Sequence, residues 1–506
     1  MTVVAPLAVP RARVAIPPVL AVVGAAALTL ALRVPFVHEP LGVDEGGLAY
    51  IARAWHGGAG SSLYGNYWVD RPPLLLALYK LAGTHGAVGI RVLGMAAAAA
   101  LVALAYALGR EIAGARAGAI AAVMTGAMAS AAGLLAIFTP AELLASVPAA
   151  ASLLCLLRSR RGGAAWLIAA GALSVTAVLV KQSFLDAGAA GAAFLVLTTI
   201  ADRAQAPKRV GAYVLGALLP VAAVALWLAA VHEPAARLTY ALFGFRVDGL
   251  HTLANAHDSL LARAAHLLSP AARSGLVVAL AIMPFGLWRV RRDRLLAVVL
   301  GVWLLAGTVG ILAGGSYWPH YLIQIVVPLS VVGAAALAAA PRRLAWPAVA
   351  VLVAIAVVFN VQRVRLLDAG HNRDGIKAIA HYIRSRSRPG DTQYVLYAKA
   401  NVDYYTGLPS PYPYAWSLMV RAVPGASQRL AALLESPGRP TWVVGWQKVG
   451  QWSLPAHQRI AASLRTDYRL VKRIHGRRIY RSRTPLSRGT VSGGPRARPG
   501  TAAAPA

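Results

Sequence analysis

The chain has 506 residues, of which 58% are hydrophobic and only 13% charged, with a formal net charge of +32. That balance excludes a soluble enzyme and reads as a polytopic membrane protein with room for one small soluble domain. A single cysteine, Cys155, excludes a disulfide framework and a cysteine-based metal site. The surplus charge, mostly arginine, suits an anionic membrane surface rather than nucleic acid.

In chain order, residues 1–16 carry Arg11 and Arg13 and no acid, and an apolar stretch follows from about Pro17 to Val34. It reads as an uncleaved anchor rather than a signal peptide, because no convincing cleavage site ends it and further spans follow. Ten more stretches long enough to cross a bilayer fall near 87–109, 116–136, 141–157, 164–180, 186–201, 211–231, 272–288, 295–313, 320–340 and 344–360. The fold class expected is therefore mainly α, with about eleven transmembrane helices. The short run 74–83, after Pro72-Pro73, is too brief to span and reads as an interfacial helix.

The cations between these stretches alternate. Arg110 and Arg116, Arg158, Arg160 and Arg161, Arg203, Lys208 and Arg209, Arg289 to Arg294, and Arg342 and Arg343 all fall on every second loop. The positive-inside rule makes that side cytoplasmic, with the amino terminus, and puts the carboxyl terminus outside the plasma membrane. All 12 histidines then face outward, as does every acid before residue 361 except Glu111, Asp202 and Asp293.

Past Asn360 the pattern changes. Residues 374–388 have helical periodicity, Gln393–Tyr397 and Thr441–Val444 read as strands, 425–435 as a helix, and Asp467–Tyr480 as a hairpin. The organisation expected is a cytoplasmic segment 1–16, a membrane domain 17–360 with a long first outer loop 35–86, an outer α/β domain 361–482 and a disordered tail 483–506.

The first outer loop concentrates chemistry. Glu39, Asp44, Glu45 and Asp70 lie in it, in a chain with 18 acids in all; acids beside a span are functional candidates. Two adjacent carboxylates cannot point the same way. One is free to act as a general base on a substrate hydroxyl while the other makes a structural or metal contact; a helix amino-terminus fits the same residues equally well. In Asp70-Arg71-Pro72-Pro73, Arg71 suits a phosphate or a local ion pair with Asp70, and the prolines stiffen the turn. Glu142 opens the fourth stretch and Lys181-Gln182 closes the fifth, at one membrane level; a second acid and a phosphate-binding ammonium, or a cap and an anchor, both fit. Pro319-His320-Tyr321 reads as a phosphate- or sugar-binding turn or as an aromatic belt. His251, His257 and Asp258 are too loosely spaced for a metal site, and no nucleotide-binding motif is present.

Taken together, Asp44-Glu45, Gly60, Tyr64, Arg71-Pro72-Pro73-Leu74, Glu142, Lys181-Gln182 and Pro319-His320-Tyr321-Leu322 resemble the polyprenyl-phosphate-sugar glycosyltransferases of the GT-C class. The likeness is to the bacterial relatives of protein O-mannosyltransferases and the aminoarabinose lipid A transferase, over residues 17–340. The resemblance implies a hexosyl or pentosyl transferase that takes its sugar from a polyprenyl phosphate. Transfer would go with inversion to an acceptor hydroxyl on a lipid, glycan or protein. It implies Asp44 as base, Glu45 and Glu142 as companion acids, and Tyr64, Asp70, Arg71, Lys181, Gln182, His320 and Tyr321 as the substrate-binding set. It requires no certain cofactor and leaves a divalent metal open. Family members commonly carry an arginine just before the P-H-Y turn, where this chain has Ser316 and Tyr317. The alternative is a transporter or flippase of lipid-linked substrates. Against it stand the uncharged span centres and the lack of an internal repeat.

Overall fold

The computed structural model describes residues 18–56, 62–255, 259–368, 375–397 and 399–483. The expected cytoplasmic segment, Gly60, His257, Asp258 and the tail beyond Arg483 lie outside the described residues. Each of the eleven apolar stretches forms a helix. In the first half these are α1 (Pro18–Arg33), α4 (Gly86–Ala113), α5 (Ala115–Met128), α6 (Ala141–Ser159), α7 (Ala164–Val180), α8 (Asp186–Ala201) and α9 (Ala206–Ala230). Two short helices, α2 (Val43–Ala54) and α3 (Pro73–Gly83), interrupt that series. The second half adds Leu276–Val290, Arg294–Leu312, the paired segments Pro319–Ile325 and Val326–Ala339, and Arg342–Asp368. Seven helices are long and apolar enough to cross a membrane alone, and an eighth span forms if Leu261–Arg273 and Leu276–Val290, bent by 89°, count as one. By contrast α5, α7 and α8 have only 14, 17 and 16 residues.

Hydropathy ran one helix too far. Residues 116–136 read as a single stretch, yet α5 stops at Met128 and the chain turns through Leu135, at φ 54°. The backbone groups this break frees are taken up by two buried side chains. Asn360 accepts the N–H of Ala132 at 2.7 Å and donates to the carbonyls of Ser130 and Leu32 at 2.9 and 3.1 Å. The Arg33 guanidinium donates to the carbonyls of Ala129, Ala136 and Phe138. Inside an apolar bundle such replacement partners are obligatory.

Loops assigned to one side by their arginines do meet there. Arg161 pairs with Glu111 at 2.7 Å, Arg160 with Asp293 at 2.7 Å, and Arg116 donates to the Ala338 carbonyl at 3.0 Å. The loops assigned to the other side gather at the opposite end of the bundle.

Helices α6, α7 and α9 pack side by side. The α7–α9 contact runs through glycines: a Cβ on Gly216 would lie 1.9 Å from the Ile168 carbonyl oxygen, and one on Gly171 2.0 Å from that of Tyr213. Small residues at such crossings let backbones close up where lipid supplies no hydrophobic drive.

The carboxyl-terminal part carries a four-stranded sheet in the order β1-β2-β4-β3, formed by β1 (Gln393–Leu396), β2 (Trp442–Gly445), β3 (Tyr468–Ile474) and β4 (Arg477–Ser482). β1 and β2 are parallel, and the other pairs are antiparallel. Helix Ile376–Arg384 lays Ile379 and Ile383 against Val395, Trp442 and Val444. Helices Ala400–Thr406, Ser417–Ala422 and His457–Thr466 were not legible in the sequence; the first two are short and lack a long apolar period.

Gly216→Val places a branched side chain into the Ile168 backbone. It is expected to destabilise the helix pair by roughly 1–3 kcal/mol, read as a lower melting temperature of the full chain in detergent, whereas the lipid-exposed Leu219→Val leaves it unchanged.

Candidate active site

The two adjacent acids fall in the first turn of α2, so the helix-terminus reading of G-V-D-E-G-G is correct as far as it goes. Their fates then diverge. The Glu45 side chain is 4% exposed and pairs with Arg91 of α4 at 2.5 Å. Its Oε1 also accepts the Thr139 N–H at 2.7 Å, and its Oε2 accepts that of Gly42 at 2.9 Å. Both oxygens are thereby committed to holding the start of α2 against α4 and the entrance to α6. Asp44, by contrast, is 47% exposed. Its Oδ1 accepts the indole N–H of Trp416 at 3.0 Å, and its Oδ2 lies 3.9 Å from Nε2 of His320.

His320 links the two outer acids, since the same Nε2 is 3.7 Å from Oε1 of Glu142. Glu142 opens α6, is buried, and forms an ion pair with the Lys181 ammonium at the end of α7. That ammonium also lies 4.5 Å above the Tyr321 ring, which in turn meets the His320 ring edge-on at 5.1 Å. Asp44, Glu142, Lys181, His320 and Tyr321, from four separate segments, thus share one end of the bundle.

Asp70 and Arg71 form the adjoining wall. Oδ2 of Asp70 takes the guanidinium of Arg71 and that of Arg246, each at 2.6 Å. Burial pushes the Asp70 carboxyl up, but Arg71 and Arg246 together outweigh it and hold the group below its ordinary range. Gln182 donates to the Asp70 carbonyl at 2.8 Å, which ties this turn to the end of α7. Tyr64 is buried and donates its hydroxyl to the Arg71 carbonyl at 2.9 Å, bracing the double-proline turn from below. Among the described residues, no group of three or more His, Cys, Asp or Glu side chains is placed to hold a metal ion.

Three contributors escaped the sequence reading. Arg246, in helix Phe245–Ala254, brings a second guanidinium to Asp70 from the loop after α9. Arg91 is the buried partner of Glu45, and its spacing along α4 gave no hint of it. Trp416 comes from the carboxyl-terminal part. Its approach needs the glycines of the D-E-G-G stretch: a Cβ on Gly47 would lie 2.4 Å from the Trp416 ring, and one on Gly46 2.3 Å from the Asn401 side chain. Asn401 donates to the Leu41 carbonyl at 2.9 Å and Tyr405 accepts the Leu41 N–H at 2.8 Å, seating helix Ala400–Thr406 on α2.

Arg91→Met leaves Glu45 as a buried carboxylate without its cation, a loss of about 3–5 kcal/mol. Thermal unfolding in detergent should show it, and the double variant Arg91→Met/Glu45→Gln should recover much of it. Equal melting temperatures of wild type and Arg91→Met would refute the clamp.

A family model for dolichyl-phosphate-mannose-protein mannosyltransferase matches residues 70–227, the stretch that runs from Asp70 through Glu142 and Lys181 to α9. A comparison with curated proteins found no match. Among solved structures, the chain is similar to ArnT from Cupriavidus metallidurans bound to undecaprenyl phosphate, with TM-score 0.64 and 16% identity over 94% of this chain and 99% of that one. The apo form of the same protein gives 0.63 and 16%, over 91% and 97%. The archaeal oligosaccharyltransferase AglB from Archaeoglobus fulgidus, in complex with an inhibitory peptide and a dolichol-phosphate, gives 0.52 and 14%, over 84% and 69%. At such identities the likeness is one of fold. The chain has the GT-C membrane glycosyltransferase fold, as its sequence motifs led one to expect, with a segment that matches the mannosyltransferase family model.

Proposed function

We propose that this protein is an integral-membrane glycosyltransferase that moves a sugar from a polyprenyl phosphate to an acceptor hydroxyl on the outer face of the plasma membrane. The observation that carries the reading is the unequal treatment of two neighbouring acids. Glu45 is sealed into a three-sided clamp, while Asp44 is left half-exposed beside His320 and Glu142. A carboxylate kept accessible yet fixed by Trp416 has the properties of a general base. The lipid-phosphate donor is carried over from the fold relatives, one bound to undecaprenyl phosphate and another to a dolichol-phosphate.

In the reaction, Asp44 takes the proton of the acceptor hydroxyl. The acceptor oxygen attacks the anomeric carbon from the face opposite the phosphate, and the bond from that carbon to the phosphate oxygen breaks. The electron pair leaves with the lipid phosphate. One displacement inverts the centre and needs a single base, with no covalent sugar intermediate. Negative charge grows on the departing phosphate, and Arg71, Arg246 and Lys181 are the cations on hand to stabilise it. Arg246 adds a second guanidinium at Asp70, in a chain that has Ser316 and Tyr317 before the P-H-Y turn. Glu142 holds Lys181 at the wall, and Glu45 positions the loop rather than touching substrate. The outward orientation rests on the arginine-rich loops meeting at the end of the bundle away from Asp44.

Asp44→Asn is expected to lower transfer of labelled sugar from a lipid-linked donor by about 10²–10⁴-fold, with expression and membrane insertion unchanged. Wild-type turnover in that variant removes Asp44 as the base. Mass spectrometry of the lipid-linked sugars that accumulate in a deletion strain identifies the donor. Trp416→Phe keeps the ring against Gly47 and removes only the N–H to Asp44. It should reduce kcat by roughly 10-fold with KM for the donor unchanged; a change in KM alone would show that Trp416 serves binding and not the base.

A further inference from the structure

At the far end of the bundle from Asp44 lies a second polar hollow. It is a cleft of about 620 Å³ between the last turn of α4, the last turn of α6 and the start of α7, within the size range of small-ligand sites. Counted along α6, Arg158 is sixteen positions from Glu142, a rise of roughly 24 Å, so the cleft opens at the opposite membrane surface. Arg110, Arg158 and Arg161 line it, with Glu111 as the one acid, and Tyr106 and Trp166 complete the wall.

We propose that this cleft binds the phosphate of an anionic phospholipid headgroup. Three observations converge on a phosphate ester. The charge is unbalanced: Arg161 pairs with Glu111 at 2.7 Å, whereas Arg110 and Arg158 have no acidic partner among the described residues. The guanidinium carbon of Arg158 sits over the Trp166 ring, 5.1 Å from its centroid, a cation–π contact that holds this cation at the cleft without neutralising it. Helix α7 begins here behind Gly162 and Gly163, both at φ near +100°, with no side chain capping its first N–H groups, so a helix amino-terminus faces the same space.

A lipid headgroup, rather than a free anion, is favoured by position. Trp166 is 37% exposed at the very start of a helix that is apolar from there on. That is where an interfacial indole sits among headgroups. The cleft takes no part in the transfer proposed above, so neither reading stands or falls with the other.

The test uses the full chain released from nanodiscs of mixed phosphatidylglycerol and phosphatidylcholine, with retained lipids counted by native mass spectrometry. Wild type should retain phosphatidylglycerol in preference. In Arg110→Gln/Arg158→Gln that preference should fall about 30-fold, from two surface cations each contributing the usual attraction. Glu111→Gln removes the one acid and should raise it about 5-fold, an opposite change that no folding defect mimics. Equal retention of both lipids by wild type, or an unchanged preference in both variants, would overturn the site. Displacement of phosphatidylglycerol by inorganic phosphate would reassign the cleft to a soluble anion and overturn the lipid assignment.

Discussion

The whole arrangement depends on the Glu45–Arg91 ion pair. A carboxylate and a guanidinium, both within the protein interior, are tolerable only when their remaining oxygens and hydrogens find partners. Here nearly all do: Thr139 and Gly42 complete Glu45, and the carbonyls of Glu39 and Pro40 accept from the terminal nitrogens of Arg91, whose Nε alone is left without a partner among the described residues. The result is a loop whose backbone is held at several points on two helices. Because Glu45 faces inward, the helical turn obliges Asp44 to face elsewhere, and that other direction is the cleft shared with His320 and Glu142. Adjacent acids thus separate into a fixed anchor and an accessible carboxylate by geometry alone.

A second constraint comes from outside the bundle. Gly46 and Gly47 carry no side chain because helix Ala400–Thr406 and Trp416 occupy the space one would need. The carboxyl-terminal part therefore sits on the loop that carries Asp44. Ser410 with Tyr50 and Asn401 with Leu41 continue the same seam, and Arg363, near the end of helix Arg342–Asp368, holds Glu39 beside it. Under the proposed reaction an acceptor hydroxyl bound for Asp44 would pass beside this seam, so the carboxyl-terminal part would bear on which acceptor is admitted.

What the sequence disclosed follows from the range of the forces involved. Hydropathy is local, so all eleven apolar helices were legible, as were both strands of the final hairpin and helix Ile376–Arg384 with its strong amphipathic period. Charge alternation is cumulative, so it sorted Asp44, Glu142, Lys181 and His320 to one end. The break after Met128 stayed hidden because its cause is 230 residues away, in Asn360. Arg246 and Trp416 were missed for the same reason: each acts through one contact across the fold, with no spacing to announce it. Tyr64 and Glu45 were legible as members of the site. Their inward orientation was not, because sequence gives position along the chain and leaves burial to packing.

The two ends of α6 and α7 show how one pair of helices serves two electrostatic tasks. At one end Glu142 and Lys181 neutralise each other within the protein, and Asp70 with Arg71 and Arg246 leaves one positive charge in excess beside them. At the other, Arg158 and the uncapped start of α7 stand at the rim with one acid between three cations. The difference follows from solvent. Buried charge must be paired, since desolvation of a lone ion is prohibitive, whereas surface charge can wait for a partner from the membrane. The acids divide accordingly: Glu39, Glu45, Asp70 and Glu142 are buried beside cations at one end, while Glu111, Asp202 and Asp293 pair with arginines at the surface of the other, where the surplus of 50 basic over 18 acidic residues can face the lipid boundary.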